Sequence, residues 1–86
     1  MRFEWDAGNR KKIAAHGVTT DEFEEAYAGR LLSEQKLVGR ERRKVAAGQT
    51  ESGRVLVLVY TMRRGKVRAI TAYESRKLRS LWLPKR

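Results

Sequence analysis

Val55-Leu56-Val57-Leu58-Val59 is apolar at every position, so it does not alternate as a strand with one wet face would. A run this short and β-branched, flanked by Gly53 and by Arg63-Arg64-Gly65, predicts a central strand covered on both faces. A two-sided strand needs neighbours, and the flanking sequence supplies them. Leu31 to Val38, Arg42 to Gln49, Arg54 to Met62 and Lys66 to Tyr73 are four runs of similar length. They are separated by Gly39-Arg40-Glu41, Thr50-Glu51-Ser52-Gly53 and Arg63-Arg64-Gly65, each with a glycine suited to a turn. Successive hairpins in an antiparallel sheet are expected.

The segment before this sheet reads as helical. Phe3-Glu4-Trp5 alternates like a short strand and meets Asp6, a helix N-cap residue. A first helix is expected through Asn9 to His16, with Gly17 at the left-handed position that ends it. Thr19 with Glu22 forms a capping box signal, and Val18 with Phe23 a hydrophobic staple, for a second helix over Thr20 to Ala28. Phe23, Ala26 and Tyr27 give that helix its buried stripe, and acidic residues crowd its first turns, where the macrodipole favours them. Leu78, Leu81 and Trp82 fall at helical spacing in Glu74 to Trp82, predicting a final basic helix that Pro84 stops, with residues 84–86 a mobile tail. The order β-α-α-β-β-β-β-α describes one α+β domain over residues 1–86, with helices covering one side of an antiparallel sheet.

Charge narrows the function. The chain carries 20 Lys and Arg against 10 Asp and Glu, a net +10. Residues 1–38 hold 6 basic and 7 acidic side chains, whereas residues 39–86 hold 14 basic ones against Glu41, Glu51 and Glu74. Such an excess on one half attracts polyanions and repels itself until something neutralises it. Nucleic acid is the expected partner, or an acidic protein that blocks the same surface. With no cysteine, and His16 as the one histidine, disulfides, thiolate nucleophiles and the usual zinc sites are excluded, and no metal or cofactor is expected. No apolar run is long enough to span a bilayer and the first residues do not read as a signal peptide, so a cytoplasmic location is expected.

Arginine, lysine, one histidine and three tyrosines suit phosphate chemistry. A metal-free ribonuclease needs a base for the 2′-hydroxyl, cations for the pentacovalent phosphorane and an acid for the departing 5′-oxygen. Arg43, Arg63 and Arg68 lie in the sheet or its turn, and Arg76 and Arg79 stand three apart on the expected last helix, where they would point the same way. His16 at a helix end reads equally as an ordinary C-terminal residue. Tyr60 shares parity with Leu56 and Leu58 and reads as core, whereas Tyr73 ends its strand. Arg68 and Tyr73 are five apart, on opposite faces of an uninterrupted strand, so one site takes both only across a bulge or turn.

Along most of its length the chain resembles the BrnT-type ribonuclease toxins of type II toxin-antitoxin systems. The matching pieces are Phe3-Glu4-Trp5-Asp6, His16-Gly17-Val18 before an acidic helix, and Arg43 five residues before Gly48. Gly53-Arg54 leading into Val55 to Thr61, and Arg68-Ala69-Ile70-Thr71-Ala72, complete the set. The resemblance implies a RelE-like fold, endoribonuclease activity, and a hetero-oligomer with an acidic-surfaced antitoxin carrying a ribbon-helix-helix DNA-binding part. It directs attention to Arg68 for transition-state charge, to Tyr73 and His16 for proton transfer, and to Arg43, Arg63, Arg76 and Arg79 for RNA phosphates. Where the family continues with arginine this chain has Tyr73, leaving two alternatives: Tyr73 substitutes as a proton donor, or the nuclease is weakened. A non-catalytic basic module that binds nucleic acid or an antitoxin through charge is the competing reading.

Overall fold

The computed structural model describes residues 2–79. Its elements are β1 (Phe3–Glu4), α1 (Ala7–Ala14), α2 (Thr20–Ala28), β2 (Leu31–Val38), β3 (Glu41–Gln49), β4 (Val55–Arg63) and β5 (Lys66–Glu74). The strands form one five-stranded sheet in the order β1-β5-β4-β3-β2. Val55, Leu56, Val57 and Leu58 are all buried, as the two-sided apolar run requires.

The helix ends follow their local chemistry. Asp6 caps α1, its carboxylate accepting from the Asn9 amide while the Asn9 side chain accepts from the Asp6 amide, both at 2.8 Å. Thr19 and Glu22 make the corresponding box on α2, and Val18 and Phe23 are both buried beside it. Gly17, with φ at +72°, turns the chain out of α1. Gly29 ends α2 without the left-handed conformation, at φ −108°.

α1 and α2 lie against the sheet, and the core between them holds Ile13, Phe23, Ala26, Tyr27, Leu56 and Tyr60. Tyr60 is core, as its parity predicts. An aromatic chain crosses this layer edge to face: Trp5 on Phe23, Phe3 on Phe23 and Tyr27, and Tyr27 on Tyr60, with ring centroids 5.3–6.4 Å apart. It pins β1 to α2 and α2 to β4.

Two expectations need correction. The sheet is mixed rather than antiparallel, because β1 runs parallel to β5, pairing Phe3 with Val67 and Glu4 with Arg68. Two short residues carry no sequence sign of direction; the partner that fixes it lies more than sixty positions away. The expected last helix over Glu74 to Trp82 also starts too early, since Glu74 pairs with Leu56 in β5. Arg76 and Lys77 form a turn followed by a tight helical turn at Leu78-Arg79, where the Leu78 amide donates to Ser75 Oγ at 3.2 Å. The rest of that helix and the 84–86 tail lie outside the described residues.

Candidate nucleic-acid interface

The decisive local feature is a bulge in β5. Tyr60 pairs with Ala69, but the next residue of β4, Val59, pairs with Thr71, so Ile70 is extra. One extra residue exchanges the faces beyond it. Val67, Ala69 and Ala72 all point into the helix-side core, while Arg68, Thr71 and Tyr73 share the opposite face. Five positions apart in sequence, Arg68 and Tyr73 therefore stand on one side of the sheet. Their partners on β4 are Thr61 and Val57, so their backbones are separated by four strand steps, about 13 Å.

Arg68 sits at one end of this strip. Its Nη2 lies 2.7 Å from Asp6 Oδ2 and its Nη1 3.5 Å from Glu4 Oε1. The Asp6 hydrogen bond, with the further pull of Glu4, raises the Arg68 guanidinium above its ordinary range. In return, the Asn9 backbone amide and then Arg68 hold the Asp6 carboxyl below its usual value. A guanidinium has five donors, so two engaged carboxylates leave it able to meet a phosphate. Arg63, exposed at the end of β4, approaches the same Glu4 Oε1 at 3.9 Å. That oxygen is buried and makes no hydrogen bond; the two arginines compensate its charge.

Beside Arg68 opens a cleft of about 290 Å³, lined by Asn9, Lys12, Glu41, Arg43 and Ile70 among others. Arg43 reaches it from β3, on the face it shares with Val45 by alternation, with its Nε 2.9 Å from Glu41 Oε1. Lys12 reaches it from α1, one turn before His16.

His16 and Tyr73 meet at the other end of the strip, their ring centroids 6.3 Å apart and both side chains exposed. Arg54 fastens the chain on both sides of them. Its Nη1 donates to the Gly17 carbonyl at 3.0 Å and to Glu22 Oε2 at 2.7 Å, and its Nε to Glu74 Oε1 at 3.2 Å. Gly17 follows His16 and Glu74 follows Tyr73. Burial alone would push the Glu22 carboxyl up, but hydrogen bonds from Arg54 and from Thr19 outweigh it and leave the group lowered. Those carboxylates in turn raise Arg54, Glu22 first.

Of the residues singled out from the sequence, the fold thus joins Arg68, Arg43 and Arg63 at one end and His16 with Tyr73 at the other. Arg76 and Arg79 are exposed in the turns after β5, not on one face of a regular helix. Sequence reasoning missed Lys12, Glu4, Asp6 and Arg54 as parts of the site. Lys12 had a signal, four positions before His16 within the helix expected over Asn9 to His16, although that helix ends at Ala14 and His16 lies in the turn after it. Glu4 and Asp6 had none, because their partner is Arg68 across a parallel pairing. Among the described residues no three His, Cys, Asp or Glu side chains converge as a metal site would require. No described helix is long and apolar enough to cross a membrane.

No curated protein matches the chain. A family model does, over residues 5–78, and its description is "Ribonuclease toxin, BrnT, of type II toxin-antitoxin system". The match runs from Trp5 beside the N-cap of α1 to Leu78 past the end of β5, so it takes in α1, β3, β4 and β5 of the strip, and the chain belongs to the BrnT family of type II toxin-antitoxin ribonuclease toxins.

Proposed function

We propose that the chain is a metal-independent endoribonuclease, with the strip along β5 and α1 as its RNA site. One observation carries this reading: the Ile70 bulge puts Arg68 and Tyr73 on the same face, with Lys12 of α1 and His16 in the turn after it alongside. An RNA strand laid along β5 would meet cations first and proton-transfer groups about 13 Å further on. In transesterification the 2′-hydroxyl loses its proton, its oxygen bonds to phosphorus, the bond from phosphorus to the 5′-oxygen breaks, and that oxygen takes a proton. An imidazole and a phenol in contact can move both protons. Arg68, with Arg43, Arg63 and Lys12, stabilises charge on the phosphates, and Asp6 and Glu4 aim the Arg68 fork. Tyr73, in place of the arginine usual in the family, acts as proton donor. Arg76 and Arg79 extend the phosphate contacts beyond the Tyr73 end.

The same reading takes the fold as RelE-like, the domain as single, the location as cytoplasmic, and the antitoxin as an acidic-surfaced protein with a ribbon-helix-helix part. The test is total RNA incubated with purified chain in EDTA, with Arg68→Ala as control. Cleavage leaving 2′,3′-cyclic phosphate ends, reduced about tenfold or more in the control as the loss of one charge-assisted phosphate contact predicts, is the expected result. Binding that falls with salt and yields no product above the control would sink the catalytic reading and leave a charge-driven binding module.

A further inference from the structure

β2 is the outer strand of the sheet, with β3 on one side and no described strand on the other. Three of its apolar residues are in water: Leu31, Leu37 and Val38 are 54%, 69% and 48% exposed. An open, apolar edge of this kind is a template for another chain unless something covers it.

Its geometry says which backbone groups are free. Val38 pairs with Glu41 across the two-residue loop Gly39-Arg40, and the pair closing such a hairpin is hydrogen-bonded. Bonded and non-bonded pairs then alternate, so Lys36 with Arg43 is bonded, while Leu37 with Arg42 and Gln35 with Lys44 are not. The Arg42 carbonyl indeed points to β4, where the Thr61 hydroxyl donates to it at 2.9 Å. The N–H and C=O groups of Gln35 and Leu37 therefore face outward, away from β3.

On the helix side of this edge lie two grooves with Gln35 in both. One, of about 490 Å³, includes Arg30, Lys44 and Met62. The other, of about 270 Å³, is lined by Lys36, Leu37 and Arg42. Residues 30–44 hold six basic side chains against Glu34 and Glu41. A second copy of this chain pairing on β2 would set those cations against their equals, which destabilises a strand pair. An acidic strand with alternating apolar residues meets no such conflict.

We infer that β2 is where the protein antitoxin of this toxin docks, adding an extended acidic segment as a sixth strand. Its apolar side chains rest on Leu37 on the helix side, and its carboxylates, on the opposite face by alternation, meet Lys36. The inference rests on membership of a toxin-antitoxin family, but not on the nuclease chemistry. Because the cleft at Arg68 opens on the other face, this anchor leaves it uncovered, and docking is separable from blocking the site.

The probe is a capped synthetic peptide of alternating valine and glutamate, with its valine-lysine counterpart as control, titrated against the whole chain and followed by amide NMR shifts and hydrogen exchange. The glutamate peptide should shift and protect the Gln35 and Leu37 amides, and the lysine peptide should not. Leu37→Pro, which removes an outward N–H and leaves the β2–β3 ladder intact, should weaken binding about tenfold or more. Should that variant not fold, Leu37→Glu, which sets a charge against the peptide's apolar side chains, should do the same. Arg68→Ala should bind as the parent does. Shifts centred on Lys12, Arg43 and Arg68, affinity unchanged in both Leu37 variants, self-association through β2, or displacement of the peptide by an oligoribonucleotide would each overturn the assignment. RNA cleavage enters none of these readouts, so loss of the nuclease reading and loss of this one are distinguishable.

Discussion

Gly48→Ala should destabilise the protein severely, and the reason is backbone rather than side chain. A Cβ built on Gly48 would lie 1.9 Å from the Ala26 carbonyl oxygen, 2.7 Å from its carbonyl carbon and 3.1 Å from its Cα. Real Cβ atoms essentially never come within 3.0 Å, so α2 and β3 must separate by more than 1 Å at this point. No rotamer can relieve that. Phe23, Ala26 and Tyr27 hold α2 in the core, the first two with no exposed surface, and a gap of up to 1 Å forfeits a quarter to a half of each dispersion contact. Overpacking a core ordinarily costs about 1–3 kcal/mol, and a clash with main chain belongs at or above the upper end, roughly 3 kcal/mol. For a chain of this size that corresponds to a fall in Tm of about 12 °C or more. Denaturant unfolding of parent and variant measures it, with Gly29→Ala as the control. Gly29 has open space around its Cβ position and a negative φ, so alanine there should be neutral or add about 0.4–1 kcal/mol. A Gly48→Ala variant within about 1 kcal/mol of the parent, or a Gly29→Ala variant equally damaged, would refute the close approach.

Deleting Ile70 should be tolerated, because the pairings of Ala69 and Thr71 with consecutive residues of β4 then become regular and no side chain changes face. Circular dichroism and the NMR contact between His16 and Tyr73 should both survive, and a collapsed fold would contradict the bulge assignment. Asp6→Asn keeps a capping oxygen but removes the charge that holds Arg68. Since the folded carboxyl lies below its ordinary 3.8, its contribution is present above that pH and is lost as pH falls through the folded value. The parent should thus lose stability between about pH 5 and 2 more steeply than the variant, and superimposable curves would count against the pair. Lys12→Ala should lower the slope of log affinity for RNA against log salt by about one, read by fluorescence anisotropy, whereas Lys77→Ala in the turn past β5 serves as an external comparison; an unchanged slope would remove Lys12 from the phosphate path.

What could be read from the sequence was whatever is decided within a few residues. The Thr19–Glu22 box fixed α2 at Thr20–Ala28, and the glycine turns fixed β2 at Leu31–Val38, because capping and hairpin chemistry act over two to four positions. The direction of β1 was not legible, since it depends on pairing with Val67 and Arg68. The bulge was hidden for a related reason. Ala69, Ile70, Thr71 and Ala72 satisfy a strand pattern in either phase, and only the facing residues of β4 decide that Ile70 is the extra one.

That non-local pairing also explains why the candidate site divides into visible and hidden halves. Arg43, Arg68, His16 and Tyr73 stand out by residue type alone, being the groups phosphate chemistry requires. Asp6 stands out only as a cap, yet the same carboxylate accepts from Asn9 at 2.8 Å and binds Arg68 at 2.7 Å. It therefore fixes the start of α1 to the first residues of β5, at Arg68. Since α1 also carries Lys12 and leads into His16, the spacing between the cations and the proton-transfer pair is set by one residue whose sequence signal speaks only of helix formation. Arg54 does the equivalent at the other end, through Gly17, Glu22 and Glu74. A strip about 13 Å long is thus held at both ends by ion pairs, so charge changes at Asp6 or Arg54 should alter the site's geometry as well as its field.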